Sequence, residues 1–164
     1  MRVAVVVVSD RVSKGIMNDK NAGTVEELMN QIGARVEKRS VVPDEAELIR
    51  HELLKLSEEG FDVVVTCGGT GVSPRDVTPE ATAQVIEKRL YGMEVAMMLE
   101  ALKYTPTAML SRAVVGVRKQ TLIINLPGSP NAVQQNLKAI LPAIPHAIEK
   151  IKGSTKDCHA PEGE

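Results

Sequence analysis

Residues 61–82 read FDVVVTCGGTGVSPRDVTPEAT. Residues 61–66 form a short, mostly apolar run of the kind that fills a strand covered on both faces. Residues 68–77 then read as a glycine-containing loop. Thr78 is expected to cap a helix that opens on Pro79, where the missing N–H of proline is harmless, and that runs to about Leu90. Strand, glycine loop and helix in that order are the unit of a parallel α/β sheet.

The same alternation extends in both directions. Upstream, residues 3–9 are a continuous β-branched strand, and residues 9–22 read as a polar loop. Val25, Leu28, Met29 and Ile32 recur at helical spacing up to Gly33. Residues 36–42 are a more polar strand, which places them near a sheet edge. Asp44 followed by Glu47 resembles a capping box, opening a helix that Gly60 closes. Downstream, residues 93–103 are helical, and residues 108–112 form a short helical turn. Residues 113–117 and 121–125 are strands, either a hairpin or two separate members of the sheet. Pro130 opens the last helical region, which Pro142 and Pro145 interrupt. The expected fold is a doubly wound α/β domain with a mostly parallel sheet over residues 1–153, followed by a polar, frayed tail at 154–164.

Composition narrows the function. One domain is expected from 164 residues. The formal net charge is −1, which argues against a general attraction for nucleic acid or for an anionic membrane. Aromatics make up only 2%, too few for a base-stacking surface, so the core must be aliphatic. Cys67 and Cys158 lie far apart, and His51, His146 and His159 lack metal-ligand spacing, so a zinc centre is not expected. A metal here would be a hard cation held by carboxylates and substrate phosphates. The longest apolar run, residues 3–8, is too short to span a bilayer, and the expected compartment is the cytoplasm.

Ligands of such sheets bind beyond the carboxyl ends of the strands. Three loops follow strand ends: Ser9-Asp10-Arg11, Gly68-Gly69-Thr70-Gly71 onward to Asp76, and Pro127-Gly128-Ser129-Pro130. Glycines at 68, 69 and 71 let backbone N–H groups approach an anion closely. Arg75 could pair with a phosphate, and Asp76 could hold a divalent cation. Each residue also has a plainer reading. The glycines could simply turn the chain, Arg75 and Asp76 could be a surface ion pair, and Asp10 could be a turn residue. Capping by itself would account for Asp44 and Ser129. Met93, Met97 and Met98 look like core or subunit-contact filling, and Cys67 like a small buried hydrophobe.

The string GGTGVSPRDVTPEAT at 68–82 resembles the signature of the MogA/MoaB family of molybdopterin adenylyltransferases. The resemblance continues through VVSDRVSKG at 7–15, VVPDE at 41–45 and PTAMLSRAVVGVRKQTLIINLPGSPNAV at 106–133. It therefore covers nearly the whole chain in order. It implies a three-layer α/β/α domain of the molybdopterin-binding type, a homotrimer or hexamer, and Mg2+-dependent transfer of AMP from ATP to molybdopterin. The family's two functional aspartates match Asp44 and Asp76, which would hold the metal. Its substrate loops match Ser9, Asp10, Gly68, Gly69, Thr70, Gly71, Ser111, Arg112, Pro127, Gly128 and Ser129, and Arg75 is a further candidate for the phosphate oxygens. The later metal-insertion protein of the pathway is an implied partner. A pterin-binding paralogue with weak or no adenylylation is the alternative. Cys67 stands where a Ser or Thr is frequent in the family, and residues 98–102 lack an Arg-x-x-Ser common among relatives.

Overall fold

The computed structural model describes residues 1–155. The polar tail expected from the sequence therefore lies almost wholly outside the described residues, and Cys158 and His159 with it. Six strands form one sheet in the order β2-β1-β3-β6-β5-β4. They are β1 (Arg2–Val8), β2 (Arg35–Val42), β3 (Val63–Cys67), β4 (Lys88–Arg89), β5 (Val115–Arg118) and β6 (Thr121–Leu126). β2, β1, β3 and β6 run parallel; β5 and β4 close one edge antiparallel. The expected polar edge strand is β2, whose burial alternates along its length.

The pleat of β1 explains why its sequence is apolar throughout. Val3, Val5 and Val7 enter one core with α2 (Asn21–Gln31), α5 (Tyr91–Leu102), α6 (Pro130–Ile140) and α7 (Ile144–Ile151). Ala4, Val6 and Val8 enter a second core with α3 (Ala46–Glu58) and α4 (Thr78–Ala83). Helices thus cover both faces, and each fully buried Leu or Ile contributes roughly 1.5–3 kcal/mol. The strand order reverses beside β1, which carries β2 on one side and β3 on the other. A crevice opens at such a switch point, here at Ser9 and Gly68 where the two strands end.

Three local expectations are corrected. The loop after β1 contains a single helical turn, α1 (Asp10–Ser13), capped by the Ser9 hydroxyl, which accepts from the Val12 N–H at 3.2 Å. The helix expected from Thr78 to about Leu90 ends at Ala83. Sheet pairing takes over there: Glu87 and Leu90 donate their N–H groups to the Val117 and Val115 carbonyls, each at 2.8 Å. Gly116 makes that pairing possible, because a Cβ there would lie 2.6 Å from the Ile86 Cδ1. Thr78 is not a cap; its hydroxyl donates to the Gly68 carbonyl at 2.9 Å.

No helix among the described residues is long and apolar enough to cross a membrane.

Candidate active site

The glycine loop is held from behind. Thr78 takes the Gly68 carbonyl through its hydroxyl and the Gly69 carbonyl through its N–H at 3.1 Å. Arg112 takes the Thr70 carbonyl through its N–H at 2.9 Å and the Gly71 carbonyl through Nε at 2.8 Å. Its Nη2 also reaches the Asp76 carbonyl at 2.8 Å, and its Nη1 pairs with Glu80. All four carbonyls of the 68–71 loop are therefore engaged within the chain. The N–H groups of Gly69, Thr70 and Gly71 donate to no acceptor among the described residues. A loop in this state offers amides, which suit an anion.

The glycines are sterically required. Gly68 has φ +109° and a Cβ there would lie 2.3 Å from the Val8 carbonyl oxygen. Gly69 has φ +68° and a Cβ there would lie 2.3 Å from the Thr78 Oγ1 and 3.1 Å from the Asp44 Oδ1. The Asp44 carboxylate is thus packed directly on the glycine loop.

Asp44 does not cap α3. Glu45 holds the position before that helix without a side-chain bond, and the Asp44 carboxylate turns back to the loop after β1. Its Oδ2 accepts from the Asp10 N–H at 2.8 Å, while the Asp44 N–H donates to the Asp10 Oδ1 at 3.0 Å. Arg75 forms a bidentate pair with Asp10, Nη2 to Oδ1 at 2.9 Å and Nε to Oδ2 at 3.0 Å. Burial holds the Asp44 carboxyl above the usual carboxylate range; the Asp10 N–H opposes this, and the charges of Asp10 and Asp76 add to it. Arg75 holds Asp10 below that range, chiefly by hydrogen bonding. Asp76 accepts the Ser73 N–H through Oδ2 at 2.8 Å.

Two cavities flank the loop. The first, about 470 Å³, is lined by Thr70, Gly71, Ser111, Pro127 and Ser129 together with α5 and the 3-10 turn Pro106–Leu110. The second, about 410 Å³, is lined by Ser9, Asp44, Gly68, the apolar strand ends Val7, Val8 and Cys67, and residues 17–21. Gly69, Asp76 and Gly128 line both. The Pro127–Pro130 loop is fixed by Ser129, whose hydroxyl caps α6 by accepting from the Ala132 N–H at 3.3 Å, and by Asn21, whose amide donates to the Gly128 carbonyl at 2.9 Å. Asp10, Arg75 and Arg112 line neither of these two cavities; they brace the residues that do.

The family described as "Probable molybdopterin binding domain" matches residues 4–146. The chain belongs to that family. The chain is 41% identical over 157 residues to a molybdopterin adenylyltransferase of Helicobacter pylori, covering 94% of this chain and 89% of the relative. It superposes on the molybdopterin biosynthesis enzyme MoaB of Thermus thermophilus with TM-score 0.87 at 41% identity, covering 93% of this chain and 97% of that one. The tungsten cofactor synthesizing protein MoaB of Pyrococcus furiosus superposes with TM-score 0.82 at 30% identity over 92% of this chain and 96% of that one. The three-layer fold expected from the sequence is therefore the fold of its relatives.

Several lining residues carry no sequence signal. Lys20, Asn21, Met98, Thr105 and Asn136 sit in none of the quoted motifs, and they come to the cavities from α2, α5, α6 and the segments at their ends. Met97 is buried as core, but Met98 lines a cavity instead of filling the interior. Cys67 is buried, as its small apolar character suggested, and burial pushes its thiol pKa up, away from reactivity. Among the described residues no three metal-ligating side chains cluster. Asp44 and Asp76 share one cavity, and two carboxylates suit Mg2+, which keeps several waters and takes its other ligands from substrate phosphates.

Proposed function

We propose that the chain is a molybdopterin adenylyltransferase that moves AMP from MgATP to the terminal phosphate of molybdopterin and releases pyrophosphate. One observation carries the reading: two cavities of substrate size share a wall made of Gly69, Asp76 and Gly128. A transfer between two anions needs two sites that meet at the reacting atoms. The names of the relatives support the same reaction. The first cavity combines Thr, Ser and Asn side chains with an apolar ground, which suits the polar edges of a pterin. The second has an apolar floor for a purine, and carboxylates at the shared wall.

A phosphate oxygen of the monoester attacks the α-phosphorus, forming a P–O bond. The bridging α–β P–O bond breaks, and its electron pair leaves with pyrophosphate. The protein has little covalent chemistry to do; it aligns the groups and balances charge. The Gly69, Thr70 and Gly71 amides would bind phosphate oxygens. Asp44 and Asp76 would hold Mg2+, which would neutralise charge on the transferring phosphate. Asp10 and Arg75 fix the Asp44 carboxylate. Such an ATP-consuming step belongs in the cytoplasm, upstream of a protein that inserts the metal.

Incubation with purified molybdopterin, ATP and Mg2+ should yield adenylyl-molybdopterin by mass together with pyrophosphate. Retention of molybdopterin without pyrophosphate release would instead make the chain a pterin-binding paralogue.

The same reading includes a trimer. Tyr91, Val95 and Leu99 lie one helical turn apart on α5 and are exposed, beside exposed Tyr104, Met109 and Leu110. A contiguous apolar face of this kind marks an interface, and a second copy is its proposed occupant. Light scattering at micromolar concentration should report three times the 17.7 kDa chain mass. Val95→Asp should shift that mass toward the monomer. A hexamer would mean a further interface, and a parent protein that is monomeric throughout would remove the assembly from the proposal.

A further inference from the structure

The proposed reaction gathers a triphosphate and a phosphate monoester, both strongly anionic, against a wall that carries carboxylates. Protein cations should be plentiful there, and they are not. Arg75 is committed to Asp10, and Arg112 to Glu80 and the loop carbonyls. Neither lines the two cavities. Among the residues that do, Lys20 is the only basic side chain. It is exposed, and its ammonium has no ion-pair partner among the described residues.

Its place decides what it would touch. Lys20 lines the second cavity and not the first, and so faces the nucleotide and not the pterin. The helix end beside it is not itself an anion site, because Asp19 already accepts the Asn21 N–H at 2.8 Å. What remains is a single long, flexible cation lining the nucleotide cavity, while the α-phosphate already has the free amides of the glycine loop.

We propose that Lys20 binds the β- and γ-phosphates of the nucleotide, the part that leaves as pyrophosphate. This rests on the adenylyltransferase reading. The ammonium neutralises the charge that grows on the leaving group when the α–β bond breaks, while the amides of the glycine loop serve the α-phosphate. Sequence motifs do not reveal it, because the residue comes from the loop before α2 and not from the glycine string.

Calorimetric titration of the full-length protein tests the assignment, using MgATP, AMP and magnesium pyrophosphate as separate probes. Lys20→Ala should weaken MgATP and pyrophosphate by about 10- to 100-fold, the scale of one charge-assisted hydrogen bond, and leave AMP unchanged. Lys20→Arg should restore most of the loss. Both differences should shrink as salt is raised, since the group is exposed. An equal loss for AMP would place Lys20 on the nucleoside or α-phosphate, and unchanged MgATP affinity would remove it from the site; either result overturns the proposal. If the parent protein binds MgATP and only the Lys20 effect is missing, the adenylyltransferase reading stands. A parent protein that binds no MgATP overturns both.

Discussion

Asp44→Asn should reduce adenylylation by on the order of 10²-fold or more, the scale of losing one electrostatic contributor, while the protein melts no lower than its parent at neutral pH. Both halves follow from the geometry. Asn keeps an oxygen that can accept the Asp10 N–H, so the clip between the two loops survives. It lacks the charge that a metal or phosphate-handling role requires. Burial and the neighbouring charges of Asp10 and Asp76 raise the Asp44 pKa in the folded state. Such a group favours folding while it is protonated, and that contribution is lost as pH rises through its folded pKa. Ionising the native carboxylate in the fold therefore carries a cost that Asn does not. The stability gain of the variant should disappear in acid, below the ordinary Asp range near 3.9. For the same reason the activity of the parent should fall on the acid side at a higher pH than an unperturbed aspartate would produce. Normal turnover at limiting Mg2+ in Asp44→Asn would reduce Asp44 to a structural clip. Asp76→Asn should show a comparable loss of activity.

Gly71→Ala is expected to separate catalysis from folding in a different way. A Cβ at Gly71 would lie 2.8 Å from the Asp76 Oδ2, and the backbone there is not left-handed. The end of a side chain can yield, so the carboxylate should swing away and release the Ser73 N–H that it accepts. Adenylylation should fall on the order of 10²-fold through a misplaced carboxylate, with stability changed by less than about 1 kcal/mol. Full activity would show that Asp76 acts from another position or not at all. Gly69 cannot serve this purpose. Its positive φ and its approach to Thr78 mean that any side chain there would strain the loop and break the Thr78 bond, mixing unfolding with loss of function.

What could be read from the sequence was whatever depends on neighbours along the chain. β1 and β3 are legible because both faces of each strand are covered, which demands unbroken apolar runs. Ser129 reads correctly as a cap because its partner is three residues away. Asp44 satisfies the local capping pattern equally well, yet its partner is Asp10, 34 residues earlier. Arg75 reads as a phosphate ligand or as the partner of adjacent Asp76, yet the acid it meets is Asp10, 65 residues away. β4 is two exposed residues whose pairing is decided by the absence of a side chain at Gly116 on the facing strand. The family resemblance pointed to loops that line the two cavities. It did not reveal which side chains face the cavities and which stand behind them, because that division is set by tertiary packing.

The Thr78 and Arg112 clamps have a consequence for how ligand preference could evolve on this scaffold. A peptide unit is a dipole, and these two residues fix which end of several such dipoles faces the cavity. Neither needs to touch a ligand to do so. Loss of either would leave peptide planes free to rotate, and each plane that turned over would present oxygen where it had presented N–H. The polarity of the loop, and with it the sign of the ion it welcomes, would then reverse while every residue of the loop itself stayed the same.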